Sequence, residues 1–176
     1  MLSVTRSARE VDRGARLNSE MSLEITDVKA FALSAAVLYI KFLVCTMIQG
    51  RKAFAAGTRM AEDSKLPQAK NAPKQGFADL TNDGVRKAVE DEMRWKRIIQ
   101  NDLESMPMAY VVFWSAISVG VSDSLTKPLL LVYTVARIGH TIVYSHGLPH
   151  ARMGFWIVGM ASIVVGAVAT GWAALV

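Results

Sequence analysis

Charged residues are missing from two long stretches of this 176-residue sequence, and cysteine occurs only once. A single cysteine, Cys45, excludes an intrachain disulfide framework, and its position in an apolar run is typical of a packing residue. His146 and His150 have no acidic or cysteine partner beside them, so the sequence predicts no metal site. No inverted repeat and no acid in the middle of an apolar stretch is present, which disfavours a proton-coupled transporter.

Apolar segments of membrane-spanning length make up much of the chain. About 20 mainly apolar residues are needed to cross roughly 30 Å of hydrocarbon. Segments 105–122 and 153–176 contain no charged residue at all, whereas every helix of a soluble bundle would have a polar face. The sequence therefore predicts an all-α integral membrane protein folded as a bundle of four transmembrane helices. The predicted spans are about 28–48, 98–122, 128–146 and 153–176.

Polar residues separate these spans unevenly. We expect a polar N-terminal tail at 1–24, followed by a single membrane domain at 25–176 with a long loop at about 50–97. Either Met21 is the true start or residues 1–20 form a loose tail, since their acidic residues argue against a mitochondrial transit peptide. Good helix formers run from Val85 without a breaker to Pro107, so the second helix should project about three turns out of the membrane.

Basic residues concentrate in the loop between the first two spans. The formal net charge is +5, and the loop alone has eleven lysines and arginines. The positive-inside rule predicts a multi-pass protein with this loop in the cytosol and both termini outside it. The host would be a bacterial inner membrane or a eukaryotic organelle membrane. Because the positive-inside rule accounts for the basic residues of this loop, we expect membrane lipids and not nucleic acid as partners.

Two groups of polar residues each lie on one face of a predicted helix. Residues three and four positions apart in a helix are neighbours on its surface. On the second helix these are Arg94, Arg97, Asn101 and Glu104, and on the third they are Arg137, His140 and Tyr144. Arg152 and Lys52 lie at the same predicted membrane boundary. Ionisable groups at membrane depth are costly, so each face should meet a partner or a wet cavity.

The nature of that partner has two interpretations. Converging arginines with one carboxylate suit a small polyanionic ligand that also has an amine, because arginine binds carboxylates and Glu104 can hold an ammonium. Alternatively, the charges satisfy one another. Arg97 and Glu104 would then pair with Asp102 or with each other, and Arg137 would neutralise a buried acid such as Asp102.

Two sequence motifs on these helices resemble those of a known family. The stretch 94–104 (RWKRIIQNDLE), with Pro107 just after it, resembles the second-helix motif of the MAPEG family, membrane-associated proteins of eicosanoid and glutathione metabolism. The stretch 136–144 (ARIGHTIVY) resembles the third-helix motif and is most similar to that of microsomal glutathione transferases. Lys41, the segment 51–54 and Glu62-Asp63 match in order. The resemblance covers roughly residues 25–165.

The resemblance implies a homotrimer of four-helix subunits that binds glutathione in the cytosolic half, between neighbours. Its glutathione-binding residues would be Lys52, Arg97, Asn101, Glu104, His140, Tyr144 and Arg152. We expect Arg152, which the resemblance places near the thiol, and Tyr144 to be the catalytic residues: Arg152 would favour the thiolate, and Tyr144 or another hydroxyl would donate a hydrogen bond to the sulfur. The thiolate would attack a hydrophobic electrophile or a lipid hydroperoxide, which indicates a detoxifying transferase or peroxidase.

Three positions depart from the family's prostaglandin synthase branch. Gln100 replaces a basic residue, Met153 a serine and Trp156 a tyrosine. These differences disfavour a prostaglandin E synthase and favour a general glutathione transferase or peroxidase. They also leave a second hypothesis, a non-catalytic scaffold subunit that keeps the fold without the chemistry.

Overall fold

Four long helices form the protein in a computed structural model that describes residues 26–176. The prediction of an all-α fold with four long helices is confirmed for these residues, whereas the tail at 1–24 and the alternative start at Met21 lie outside them. The helices are α1, Asp27–Ala56; α2, Asp83–Ser118; α3, Asp123–Ser145; and α4, Pro149–Ala173.

The helices are longer than the predicted spans at their polar ends. α2 begins at Asp83, which confirms the helix predicted from Val85 onward. α1 continues beyond position 48 to Ala56, so the segment between the two helices is 57–82 and not 50–97. Charged side chains can extend a helix into water, and apolar runs alone therefore underestimate its length. The 57–82 connection contains two short 3₁₀ helices, Ala61–Lys65 and Pro67–Ala69.

Local capping residues set the two ends of this connection. Gly57 ends α1 with a φ of 70°, in the left-handed region that favours glycine, and its N–H donates to the carbonyl of Phe54 at 3.2 Å. Asn82 caps the N-terminus of α2, because its Oδ1 accepts hydrogen bonds from the N–H groups of Gly84 and Val85 at 2.9 and 3.3 Å. α1 and α2 are thereby connected as antiparallel neighbours.

Aromatic and aliphatic side chains fill the centre of the bundle. Leu38 of α1, Phe113 of α2 and Tyr133 of α3 belong to one buried cluster. α3 and α4 approach closely at Gly139, where a Cβ atom would overlap the ring of Phe155. This close approach packs α4 tightly against α3.

α1 and α4 have the length and composition of membrane-spanning helices. Their most apolar 18-residue windows have mean hydropathies of 2.1 and 1.9, and only 11% and 22% of the residues in those windows are buried. A core helix of a soluble protein would be mostly buried, so an apolar and exposed surface favours contact with lipid. Within residues 26–176, α2 and α3 do not meet the same criterion of length and low charge.

Candidate functional site

A cluster of three charged side chains connects α1, α2 and α3 inside the bundle. Lys41 Nζ lies 2.6 Å from both carboxylate oxygens of Asp102, and Arg137 Nη2 donates to Asp102 Oδ1. The exposed fractions of the side chains are 11% for Lys41, 0% for Asp102 and 2% for Arg137. We call these residues the charge cluster. The alternative in which Arg137 neutralises Asp102 is the one observed, and the acid is shared with Lys41.

A basic cleft opens on the polar side of this cluster, between α2 and the α3–α4 turn. Its volume is about 400 Å³. The polar residues that line it are Glu90, Arg94, Arg97, Tyr144 and Arg152. Arg94 also donates to the carbonyl of Ser145 at 3.2 Å, which fixes the end of α3 against α2. The cleft therefore has three guanidinium groups and one carboxylate.

A second cavity shares a wall with the basic cleft and is open to the surface beside Met153 and Trp156. We call it the inner cavity because the residues that line it on α2 and α3 lie nearer the middle of those helices. It has a volume of about 320 Å³. Its lining residues are Asn101, His140, Tyr144, Arg152, Met153 and Trp156. Tyr144 and Arg152 border both spaces, so the two cavities meet at this pair.

Stacked side chains form that shared wall. The Arg152 guanidinium carbon lies 4.4 Å from the centre of the Tyr144 ring, a cation–π contact. The rings of Tyr144 and His140 meet edge to face at 5.5 Å. The first turn of α4 supplies Arg152, and the last two turns of α3 supply His140 and Tyr144. The stack holds a cation at the boundary between the cavities.

Five of the seven predicted binding residues border these two cavities. They are Arg97, Asn101, His140, Tyr144 and Arg152. Lys52 instead pairs with Asp91 at 2.7 Å, and Glu104 accepts a hydrogen bond from Gln100 at 2.9 Å. Neither Lys52 nor Glu104 lines the cleft or the inner cavity. Of the three positions identified as departures, Met153 and Trp156 line the inner cavity, whereas Gln100 lines a different cleft, between α1 and α2.

Sequence reasoning missed the acid of the basic cleft. Glu90 lies four positions before Arg94, and Arg94 three before Arg97, so a helical spacing count extended by one turn would have found it. Met93 of the same helix also lines the cleft. Among residues 26–176, no group of three histidine, cysteine or acidic side chains is placed to hold a metal ion.

The arrangement matches an anionic ligand with several charged groups. Cavities of a few hundred Å³ are the size that binds small molecules. Arginines offer paired donors to carboxylates, whereas Glu90 can accept hydrogen bonds from an ammonium. A thiol or other weak acid held beside Arg152 would be favoured as its anion.

Sequence comparison gives one family match. The model of the MAPEG family matches residues 29–172, which include α2, α3, nearly all of α1 and α4, and every residue of the two cavities. Among curated proteins, none matches the chain.

Proposed function

Because the chain belongs to the MAPEG family of membrane proteins, we propose that it is a glutathione transferase, with glutathione peroxidase activity as a related reaction. The family includes glutathione transferases and peroxidases as well as members without enzymatic activity. The observation that carries the proposal is the pairing of Arg152 with Tyr144 where the basic cleft and the inner cavity meet.

Glutathione has the charges that this site can satisfy. The tripeptide has two carboxylates, one ammonium and one thiol. Arg94 and Arg97 supply guanidinium donors for carboxylates, and Glu90 supplies an acceptor for the ammonium. Asn101 offers a further polar contact in the inner cavity. The sulfur would then lie beside Arg152.

Arg152 would activate the thiol by electrostatics, without a protein nucleophile. A cysteine thiol has a pKa near 8.5, so most of it is protonated at neutral pH. A guanidinium beside the sulfur lowers the thiol pKa, and two units correspond to about 2.7 kcal/mol of differential stabilisation. The thiol proton passes to solvent, and the Tyr144 hydroxyl donates a hydrogen bond to the sulfur.

The thiolate then reacts with a hydrophobic partner. With an electrophilic carbon, sulfur forms the new bond and the leaving group departs with its electron pair, or the electrons of a double bond move away. With a lipid hydroperoxide, sulfur attacks the terminal oxygen, the O–O bond breaks, and the lipid leaves as an alkoxide that takes a proton from solvent to become an alcohol. A second glutathione reduces the resulting sulfenic acid to disulfide and water.

Polar residues on the outer face of α2 support an oligomer with shared sites. Lys96, Arg97 and Gln100 line an outward cleft of about 490 Å³ between α1 and α2, and Glu104 is exposed one turn further on. Gln100 and Glu104 fall within the predicted span 98–122, and polar groups at that depth favour a protein partner over lipid. We propose a homotrimer of four-span subunits with the 57–82 connection in the cytosol, in a bacterial inner or eukaryotic organelle membrane.

Glutathione titration of the purified chain tests the proposal. Calorimetry measures binding, and ultraviolet absorbance near neutral pH measures the bound thiolate. We expect the wild-type chain to bind glutathione and to show the thiolate signal. Arg152→Ala should lose most of that signal while Arg152→Lys, which keeps a positive charge, retains part of it. Wild-type protein that binds no glutathione contradicts the proposal.

One contact favours the alternative of a non-catalytic scaffold subunit. Glu104, which the family resemblance assigns to glutathione, is already bonded to Gln100. Glutathione binding without a thiolate signal in the wild-type chain would favour this second function.

A further inference from the structure

The charge cluster contains more positive than negative charge. With all three groups ionised, Lys41 and Arg137 share the single carboxylate of Asp102, which leaves one positive charge in excess. In residues 26–176, neither cation is paired with a second acid. An uncompensated charge in a protein interior at membrane depth is costly. Its retention therefore requires a physical explanation.

The cluster lies directly below the two cavities. Asp102 follows Asn101, which lines the inner cavity, and Arg137 lies one helical turn before His140, which lines it too. The seven residues from Arg137 to Tyr144 rise about 10 Å along α3. The excess charge is thus within range of a ligand anion at the Tyr144–Arg152 pair.

Unpaired polar atoms occupy the space between the cluster and the inner cavity. Arg137 Nε and His140 Nδ1 are buried and have no hydrogen-bond partner among the described residues. Both residues are 2% exposed. Buried polar groups are usually satisfied, so these two atoms indicate a polar region between the charge cluster and the inner cavity.

We propose that Lys41, acting through the charge cluster, is a positioning residue whose excess positive charge stabilises the anionic sulfur of the ligand at Arg152. The inference rests on the proposed function. It assigns the buried cluster an electrostatic role in addition to holding three helices together. The other charged or titratable groups around the cavities are Glu90, Arg94, Arg97, His140, Tyr144 and Arg152.

Coulomb's law gives the expected size of the effect. Two unit charges about 10 Å apart, at an effective dielectric constant of about 20, change an equilibrium by about tenfold. Removing the excess charge should therefore weaken the binding of an anion at the sulfur position by about tenfold. A ligand that is neutral at that position should bind as before.

Two glutathione analogues separate the electrostatic role from a structural one. Glutathione sulfonate has a permanent negative charge at the sulfur, whereas S-methylglutathione is neutral there. We would measure both affinities by calorimetry on the full chain in detergent micelles, for wild type, Lys41→Met and Lys41→Arg. Methionine leaves Asp102 and Arg137 as a neutral pair and is similar in length to lysine, and arginine retains the charge.

We expect Lys41→Met to bind the sulfonate about tenfold more weakly with S-methylglutathione unchanged, and Lys41→Arg to bind both like wild type. Arg137→Met removes the same net charge and should give the same selective loss, which provides a second variant if one of them does not fold. Equal losses for both analogues, or no loss for either, would overturn the inference and leave the proposed function intact. Failure of wild type to bind either analogue would overturn both.

Discussion

Arg137 and Arg152 lie on neighbouring helices beside the same cavities, but their guanidinium groups have different surroundings. Arg137 is buried and bonded to Asp102, and it shares that acid with Lys41. Arg152 is half-buried, rests on the Tyr144 ring and borders both cavities, with no ion pair in residues 26–176. Arg137 is bonded to an acid inside the bundle, whereas Arg152 lines both cavities, where the proposed ligand would bind. Burial and partner together distinguish an arginine that connects helices from one that is open to a ligand.

The largest expected effect comes from replacing Asp102, the acid bonded to Arg137. Asp102→Asn leaves Lys41 and Arg137 buried without a carboxylate, and breaking such a pair costs about 3–5 kcal/mol of unfolding free energy. Unfolding by heat or denaturant in detergent micelles measures the loss. Asp91→Asn is the matched control, because its partner Lys52 is 43% exposed and an exposed pair contributes about 0–1 kcal/mol. Equal losses of unfolding free energy in the two variants would contradict the expected difference between a buried and an exposed ion pair.

A smaller effect is expected from replacing Tyr144, whose ring contacts Arg152. Tyr144→Leu removes the ring under Arg152, and a cation–π contact of this kind contributes about 0.5–2 kcal/mol. We expect glutathione affinity to fall about threefold to tenfold in calorimetry. Tyr144→Phe keeps the ring and should preserve affinity, but it should lower the bound thiolate signal because the hydroxyl is lost. Unchanged affinity in Tyr144→Leu would show that the stack does not position Arg152.

The smallest effect is expected at Lys52. Its observed partner is Asp91, at a distance of 2.7 Å, whereas the family resemblance assigns it to glutathione. Lys52→Gln should change the unfolding free energy by less than about 1 kcal/mol, as for other exposed pairs. Glutathione affinity, measured by calorimetry, should change less than threefold. A tenfold loss of affinity would instead indicate that Lys52 contacts glutathione.

The fold was largely predictable because membrane spans and helix formers leave strong patterns in a sequence. Apolar runs located all four helices, and the helix formers from Val85 onward predicted the charged start of α2, which begins at Asp83. The charged end of α1 was not predicted, because hydropathy does not detect a helix that continues into water. The side-chain partners were less predictable. Spacing places Arg97 and Asn101 on one face and makes Gln100 a neighbour of Glu104, but it does not decide whether Glu104 bonds to Gln100 or to a ligand. Nor does it reveal that Lys41 joins Asp102, since that contact joins residues 61 positions apart.

The length of α1 has a consequence for kinetics under the proposed function. Its 30 residues rise about 45 Å, and about 30 Å of this suffices to cross the hydrocarbon. The remainder extends into water, where glutathione dissolves, whereas an oily co-substrate reaches the protein by partitioning into the bilayer. Its effective concentration is then a mole fraction in lipid. Adding lipid at fixed amounts of enzyme and electrophile should dilute the co-substrate and slow turnover, with the aqueous glutathione concentration unchanged.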